Sequence, residues 1–256
     1  MQLRIPGAHT RSRVKSFDVT LWLESRLDIG QIFLPSLVGI WKDHTISVPK
    51  IFSSKQSNRM LVPLHLNKPA LRTLGIAESF VRTCPNSRLA GVVMRADLRM
   101  DGVAFATATV GGDDATEGVL KIYEQLGRAD INAIILSGAV ISWFNIIDIR
   151  EVFDVIQKPV ICLTYEESPG LERYIREYFQ NPEEKLRRYQ RLGQREIISL
   201  KTGYEVYIRA LGATAEESRV LLNKFTLDGR IPEPVRVARL AARAAMHADE
   251  CLSELT

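Results

Sequence analysis

Three carboxylates, Glu78, Asp113 and Asp114, offer the first chemistry in this chain. A hard cation such as Mg²⁺ is bound through oxygen ligands, usually one or two protein carboxylates together with phosphate oxygens of a substrate. Such an ion can polarise a phosphoryl group or supply a hydroxide. On that reading Glu78, Asp113 and Asp114 are candidate catalytic residues, with Glu78 and Asp113 as the candidate metal ligands. Each also has a plainer account. Glu78 follows Ala77 on a short apolar strand, and alternation sends the two side chains to opposite faces unless the strand has already ended. Asp114 stands three residues before Glu117, the spacing of a capping box, and Asp113 would sit in the preceding turn, favoured by the helix dipole. Asp148 begins a similar D-x-x-E run with Glu151. Glu166 and Glu167 follow an apolar strand at its carboxyl end, the usual ligand side of parallel sheets, although a solvated loop is the commoner outcome.

A second chemistry is stacking and phosphate contact. Ser142, Trp143, Phe144 and Asn145 form a compact SWFN segment in which exposed rings would stack on an unpaired base, a contact worth about 1–3 kcal/mol. Asn145 would hydrogen-bond a base edge or a phosphate. The alternative places both rings over the core, with Asn145 as a cap. Two basic runs could follow a phosphate backbone: Lys185, Arg187, Arg188, Arg191 and Arg195, and the stripe Arg236, Arg239, Arg243 and His247 at helical spacing. Solvated helix faces also look like this, and Glu183 and Glu184 offset part of the first run. Candidate nucleic-acid contacts are therefore Ser142, Trp143, Phe144, Asn145, Arg236 and Arg239, with a protein partner at the SWFN rim as the competing use.

Other chemistries find little support. His9, His44, His65 and His247 share no ligand spacing, and Cys84, Cys162 and Cys251 form no CxxC pair, which suits a reducing, cytoplasmic setting. There is no Walker loop, no GxGxxG opening a helix and no GxSxG elbow. Apolar residues make up 46% and charged residues 25% of the 256, an ordinary globular balance, and no apolar run approaches the ~20 residues of a spanning helix. The net charge of +4 is uneven. Residues 1–59 hold nine of the 34 Lys and Arg and four of the 30 Asp and Glu, or +5, which leaves −1 for the rest. Any affinity of the main domain for nucleic acid must then come from local patches.

The elements that must position these residues begin after that basic leader. Residues 1–59 lack sustained periodicity and are expected to be an extension, poorly ordered or outside the native protein, with Met60 as the biological start. The domain spans 60–256. Arg72–Ile76, Leu89–Arg95 and Val103–Val110 alternate as strands, with Asp101-Gly102 as the expected tight turn between the last two. Apolar positions after Asp114 predict a helix stopped by Gly127. Ala133–Leu136 and Val160–Thr164 are short apolar strands flanking a helix over 148–156, which implies a parallel pair. Ser168-Pro169 and Pro182 open two helices, 202–209 is a strand, Thr214 with Glu217 caps a helix through Phe225, and Pro234 starts a last helix to about Leu252. Three antiparallel strands followed by parallel ones, flanked by helices, make an RNase H-like α/β fold.

Gly229–Ala241 (GRIPEPVRVARLA) resembles the C-terminal signature of endonuclease V, an Arg-hydrophobic-Pro-Glu-Pro run opening the final helix. More closely, LGIAESF (74–80), AGVVMRADL (90–98), GGDDATE (111–117) and LSGAVISWFNIIDI (136–149) resemble the archaeal endonuclease V-related family also labelled endonuclease dU. The resemblance runs from Met60 to Ala248 and omits the leader. It implies a nucleic-acid substrate or partner, DNA or RNA, a place in repair of damaged bases, and Mg²⁺ as cofactor if the protein is catalytic. It also implies an Asp at the end of the first strand and another at the end of the strand before the long helix. Here those positions read Ala77 and Ser137, and the family's late histidine-containing turn reads Arg209-Ala210-Leu211-Gly212. Three expectations follow from these departures: a non-catalytic or weakly active nucleic-acid-binding protein, an endonuclease with a rebuilt carboxylate site, or a protein-partner scaffold.

Overall fold

The computed structural model of the chain describes residues 64–68 and 70–248. The expectations for residues 1–59 and for the end of the last helix beyond 248 lie outside them. Seven strands form one sheet in the order β3-β2-β1-β4-β7-β9-β8. β1 (Arg72–Ser79), β2 (Asn86–Arg95) and β3 (Met100–Thr109) make the antiparallel meander. β4 (Ala133–Leu136) and β7 (Val160–Thr164) then join β1 in parallel, and β8 (Glu196–Ser199) and β9 (Glu205–Leu211) close the far edge antiparallel. This is the expected RNase H-like arrangement. β8 was not foreseen. Its residues are mostly exposed, with only Ile198 buried, so it carries too weak an alternation to announce itself.

Helices cover both faces. On one side α1 (Ala115–Leu126) and α2 (Ile149–Ile156) bury Val119, Ile122 and Val152 against Leu74, Leu89, Ile134 and Leu136. On the other, α5 (Ala215–Phe225) and α6 (Glu233–His247) bury Leu221, Phe225, Val235 and Ala238 against Ala77, Val92, Ile135 and Ile161. Fully apolar β4 and β7 follow from this sandwiching, because a central parallel strand is covered on both sides. α3 (Glu172–Tyr178) and α4 (Glu183–Arg191) stand at the sheet's rim; α3 begins later than Ser168-Pro169 suggested. One contact fixes α6 on the sheet. A Cβ on Gly75 would lie 2.5 Å from the Pro234 carbonyl carbon, so the Pro-Glu-Pro helix start rests directly on the β1 backbone.

Local signals meet the structure unevenly. The Thr214–Glu217 capping box is complete, with both reciprocal hydrogen bonds. Asp148 accepts from the N–H groups of Arg150 and Glu151 as a cap. Asp101-Gly102 is not a turn: both lie inside β3, and the chain reverses at residues 96–99 with Leu98 at φ 63°. Asp101 is instead drawn to Arg72 and Arg128, whose Nε and Nη2 donate to its Oδ2 at 2.5 and 3.1 Å, and these bonds hold its carboxyl below the ordinary Asp range. Cys84 is disulfide-bonded although the three cysteines form no CxxC pair, while Cys162 is free and buried, with burial pushing its thiol up to about 12. Among the described residues no helix is long and apolar enough to cross a membrane.

Candidate functional site

The carboxyl ends of β1, β4 and β7 converge at one edge of the sheet, where Ala77, Glu78, Ser137 and Tyr165 lie. β1 runs on to Ser79, so alternation holds: Ala77, only 4% exposed, packs on the α6 side, and Glu78 faces the α1 side with its strand partner Leu89. Glu78 closes a small pocket with Ile76, Leu89, Leu136, Ser137, Gly138, Ile141 and Ile147. Its Oε2 is out of solvent with no hydrogen-bond partner. Burial among these apolar walls raises the carboxyl to about 7, against the pull of the Ser142 backbone N–H and the Arg239 charge. Ser137 Oγ accepts from Arg239 Nη2 at 2.9 Å across 102 residues of chain.

Asp113 and Asp114 do not join Glu78. Asp114 stands at the N-cap position of α1 but caps nothing; its carboxylate accepts from the Thr109 N–H and hydroxyl and from Asn145 Nδ2. Burial opposes its ionisation, yet the Thr109 and Asn145 bonds outweigh that and hold it below the ordinary Asp range. Asp113 pairs with Lys185 at 2.9 Å and Arg188 at 3.5 Å. Among the described residues no group of three or more His, Cys, Asp and Glu is placed to hold a metal ion. The donors at the strand ends, one carboxyl tending to neutrality, a serine and a guanidinium, do not fit Mg²⁺, which needs anionic oxygens.

The SWFN segment is a hairpin. β5 (Val140–Ile141) and β6 (Asn145–Ile146) pair antiparallel around Ser142, Trp143 and Phe144, which take φ of 44°, 60° and 64°. Left-handed backbone costs roughly 1–2 kcal/mol for each such residue, and burial offsets it. Ser142 and Asn145 are fully buried and Phe144 is 5% exposed, which corrects the expectation of an exposed aromatic rim. Ser142 donates to Ser87 at 2.6 Å, and its carbonyl accepts from Gly111. Asn145 accepts from the Ala115 N–H and donates to Thr109 O and Asp114 Oδ1, which leaves nothing for a base. Phe144 packs edge-on against Phe179. Trp143 alone reaches the surface, with Arg82 over its ring at 3.9 Å and Tyr178 beside it.

The basic runs also divide. Lys185 is 6% exposed and donates to the carbonyls of Gly111, Gly112 and Phe144 as well as to Asp113, so it fastens α4 to the hairpin and the α1 approach. Nothing in its sequence neighbourhood signals that role, since it sits in a charged helical run. Arg187 and Arg188 pair with Glu184. Arg236 is tied to Asp228 and Glu233, while Arg239 and Arg243 are exposed on the same helix. Around the strand ends, sequence reasoning missed Tyr165 and Arg230, and Arg195, expected in the first basic run, lies here beyond the end of α4. Arg230 donates to Tyr165 O and Glu166 Oε1, and Arg195 to Thr164 Oγ1 and the carbonyls of Glu166 and Ser168.

A strand-end site on this sheet order, closed by a Pro-Glu-Pro helix, meets its counterpart in sequence: the profile of the family described as Endonuclease dU matches residues 69–246. The chain belongs to the endonuclease dU family. It is 36% identical over 173 residues to the UPF0215 protein PAE0952 of Pyrobaculum aerophilum, a match covering 67% of this chain and 92% of that protein. A protein of unknown function from Archaeoglobus fulgidus superposes with a TM-score of 0.60 at 27% identity, over 69% of this chain and 99% of that one. Endonuclease V of Ciona intestinalis, solved with a 24mer DNA containing an inosine, gives a TM-score of 0.49 at 12% identity, over 70% and 87%. This endonuclease dU family member thus has the matched region where the resemblance placed it, within 60–248.

Proposed function

We propose that this family member binds DNA or RNA at the carboxyl ends of β1, β4 and β7 and serves in nucleic-acid repair as a binding protein without metal-dependent cleavage. The observation that carries the reading is the bond from Arg239 to Ser137, at one of the two positions where the resemblance to endonuclease V implies an aspartate. The other such position, Ala77, is buried and apolar. A guanidinium at that spot repels a divalent cation and attracts a phosphate. The family membership supports nucleic acid as the partner, and the half-exposed Trp143 under Arg82 supplies one surface ring for stacking. Domain limits of 60–256 belong to the same proposal.

The test is a cleavage and gel-shift assay of the full chain on end-labelled DNA and RNA carrying inosine, uracil or ordinary bases, in Mg²⁺, Mn²⁺ or EDTA. Retarded complexes with intact strands in every lane are expected. Metal-dependent cuts that vanish in Glu78→Gln or Asp113→Asn would sink the reading and establish a rebuilt nuclease. No retarded complex in any lane would favour the protein-partner scaffold.

A further inference from the structure

Three guanidiniums gather at the ends of β4 and β7 with little negative charge to balance them. Arg239 and Arg230 lie 5.6 and 5.8 Å from the centre of the Tyr165 ring, and Arg195 crosses the same loop to reach Glu166 and Ser168. Arg230 has Glu166 as an ion-pair partner. Among the described residues neither Arg195 nor Arg239 has a carboxylate ion pair. The nearby acid, Glu78, is drawn toward its neutral form by burial, so it compensates Arg239 only in part. A second observation is independent of charge. The Tyr165 hydroxyl is buried and makes no hydrogen bond of ordinary geometry, with only the Ser137 hydroxyl close by to pair with it, a rare state for such a group. Excess positive charge and an unsatisfied buried donor therefore meet at one place.

We propose that Arg239, with the hydroxyls of Ser137 and Tyr165 beside it and Arg230 adjoining, holds one phosphodiester phosphate of a nucleic-acid strand directly, with no metal ion between protein and phosphate. The proposal rests on the nucleic-acid reading above and names the atoms that carry it. A guanidinium has five N–H donors in a planar fork that matches two phosphate oxygens. Arg239 uses one on Ser137, which leaves donors for the ligand. Ser137 accepts in that bond, so its own proton can turn to the ligand or to the neighbouring Tyr165 hydroxyl. In a metal-using site, carboxylates hold a cation that in turn holds the phosphate. Here the cation is a side chain of α6, and acids at 77 and 137 would neutralise it. Alanine and serine at those two positions are what a side-chain cation requires.

The experiment is fluorescence anisotropy of the full chain with a labelled single-stranded oligonucleotide, in EDTA and in Mg²⁺, over a salt series. Equal affinity in both buffers is expected. Arg239→Gln should weaken binding about tenfold or more and flatten the logarithmic salt slope by about one. Lys121→Gln, on α1 and paired with Glu117, should stay within about twofold of the parent, since it lies outside the site. If circular dichroism shows Arg239→Gln unfolded, Ser137→Asp takes its place, with a loss of about tenfold in EDTA expected from ion-pairing Arg239. No binding by the parent in either buffer overturns both this proposal and the nucleic-acid reading. Parent binding that is unchanged in the folded variant overturns the phosphate site alone, and binding that needs Mg²⁺ overturns its metal-free character.

Discussion

At the residue scale, Glu78 and Lys185 make opposite demands on the interior. Glu78 is an acid whose folded value, about 7, lies above its ordinary 4.5. The folded state therefore holds more protons than the unfolded state between those values, and stability falls as pH rises through that window. The full penalty, on the order of 3 kcal/mol, is present above pH 7 and absent below pH 4.5. Urea melts at pH 5 and pH 8 should show this loss, and Glu78→Gln should remove most of the difference; an unchanged pH dependence in that variant would place the titration elsewhere. Lys185 contributes in the other direction. Lys185→Met leaves three backbone carbonyls without this donor and Asp113 with Arg188 alone, and should cost about 2–4 kcal/mol in a denaturant titration. Its partners lie 41 to 74 residues away, so no spacing rule could separate it from the solvated Arg187 two positions on.

At the element scale, the contact between α6 and β1 decides whether the strand-end edge is formed. Replacing Gly75 with Ala puts a methyl group into the Pro234 backbone, which cannot yield as a flexible side chain would. The expected cost is about 3 kcal/mol, seen as a lowered melting temperature, together with weaker oligonucleotide binding as Arg239 moves away from Ser137. A melting temperature equal to the parent's would mean that the helix start shifts freely. The hairpin of β5 and β6 behaves differently. Asn145→Ala removes the acceptor for the Ala115 N–H and the donor to Asp114, and should destabilise by about 2–3 kcal/mol; a surface role for Asn145 would leave the denaturation midpoint unmoved. SWFN looked like a binding loop because its composition is that of one. Its burial depends on α3, α4 and Phe179 closing over it, and those elements lie more than 25 positions further along the sequence.

At the scale of the molecule, the near-neutral domain sets how strongly it can hold a charged polymer. With −1 over residues 60–256, binding must rest on the few arginines at the strand ends. One phosphate contact on a single strand gives a logarithmic salt slope of about −0.7; a slope several times steeper, measured by anisotropy on the full chain, would move the interface to a larger basic surface. The sequence by itself determined most secondary elements and their order, β8 and the β5–β6 hairpin excepted: alternating β1 to β3, fully apolar β4 and β7, the Thr214 cap and the Pro-led α6 each follow from interactions within a few residues, which spacing records. It also identified Ala77 and Ser137 as departures, because the flanking motifs fix their register. Only the tertiary structure decided which polar side chains are free to act. Asp114 and Asn145 were claimed by each other, Lys185 by four acceptors, and Ser137 by an arginine 102 residues away. Hydrogen bonds and burial across such separations depend on how the sheet brings distant segments together, and a short-range pattern in sequence holds no record of them.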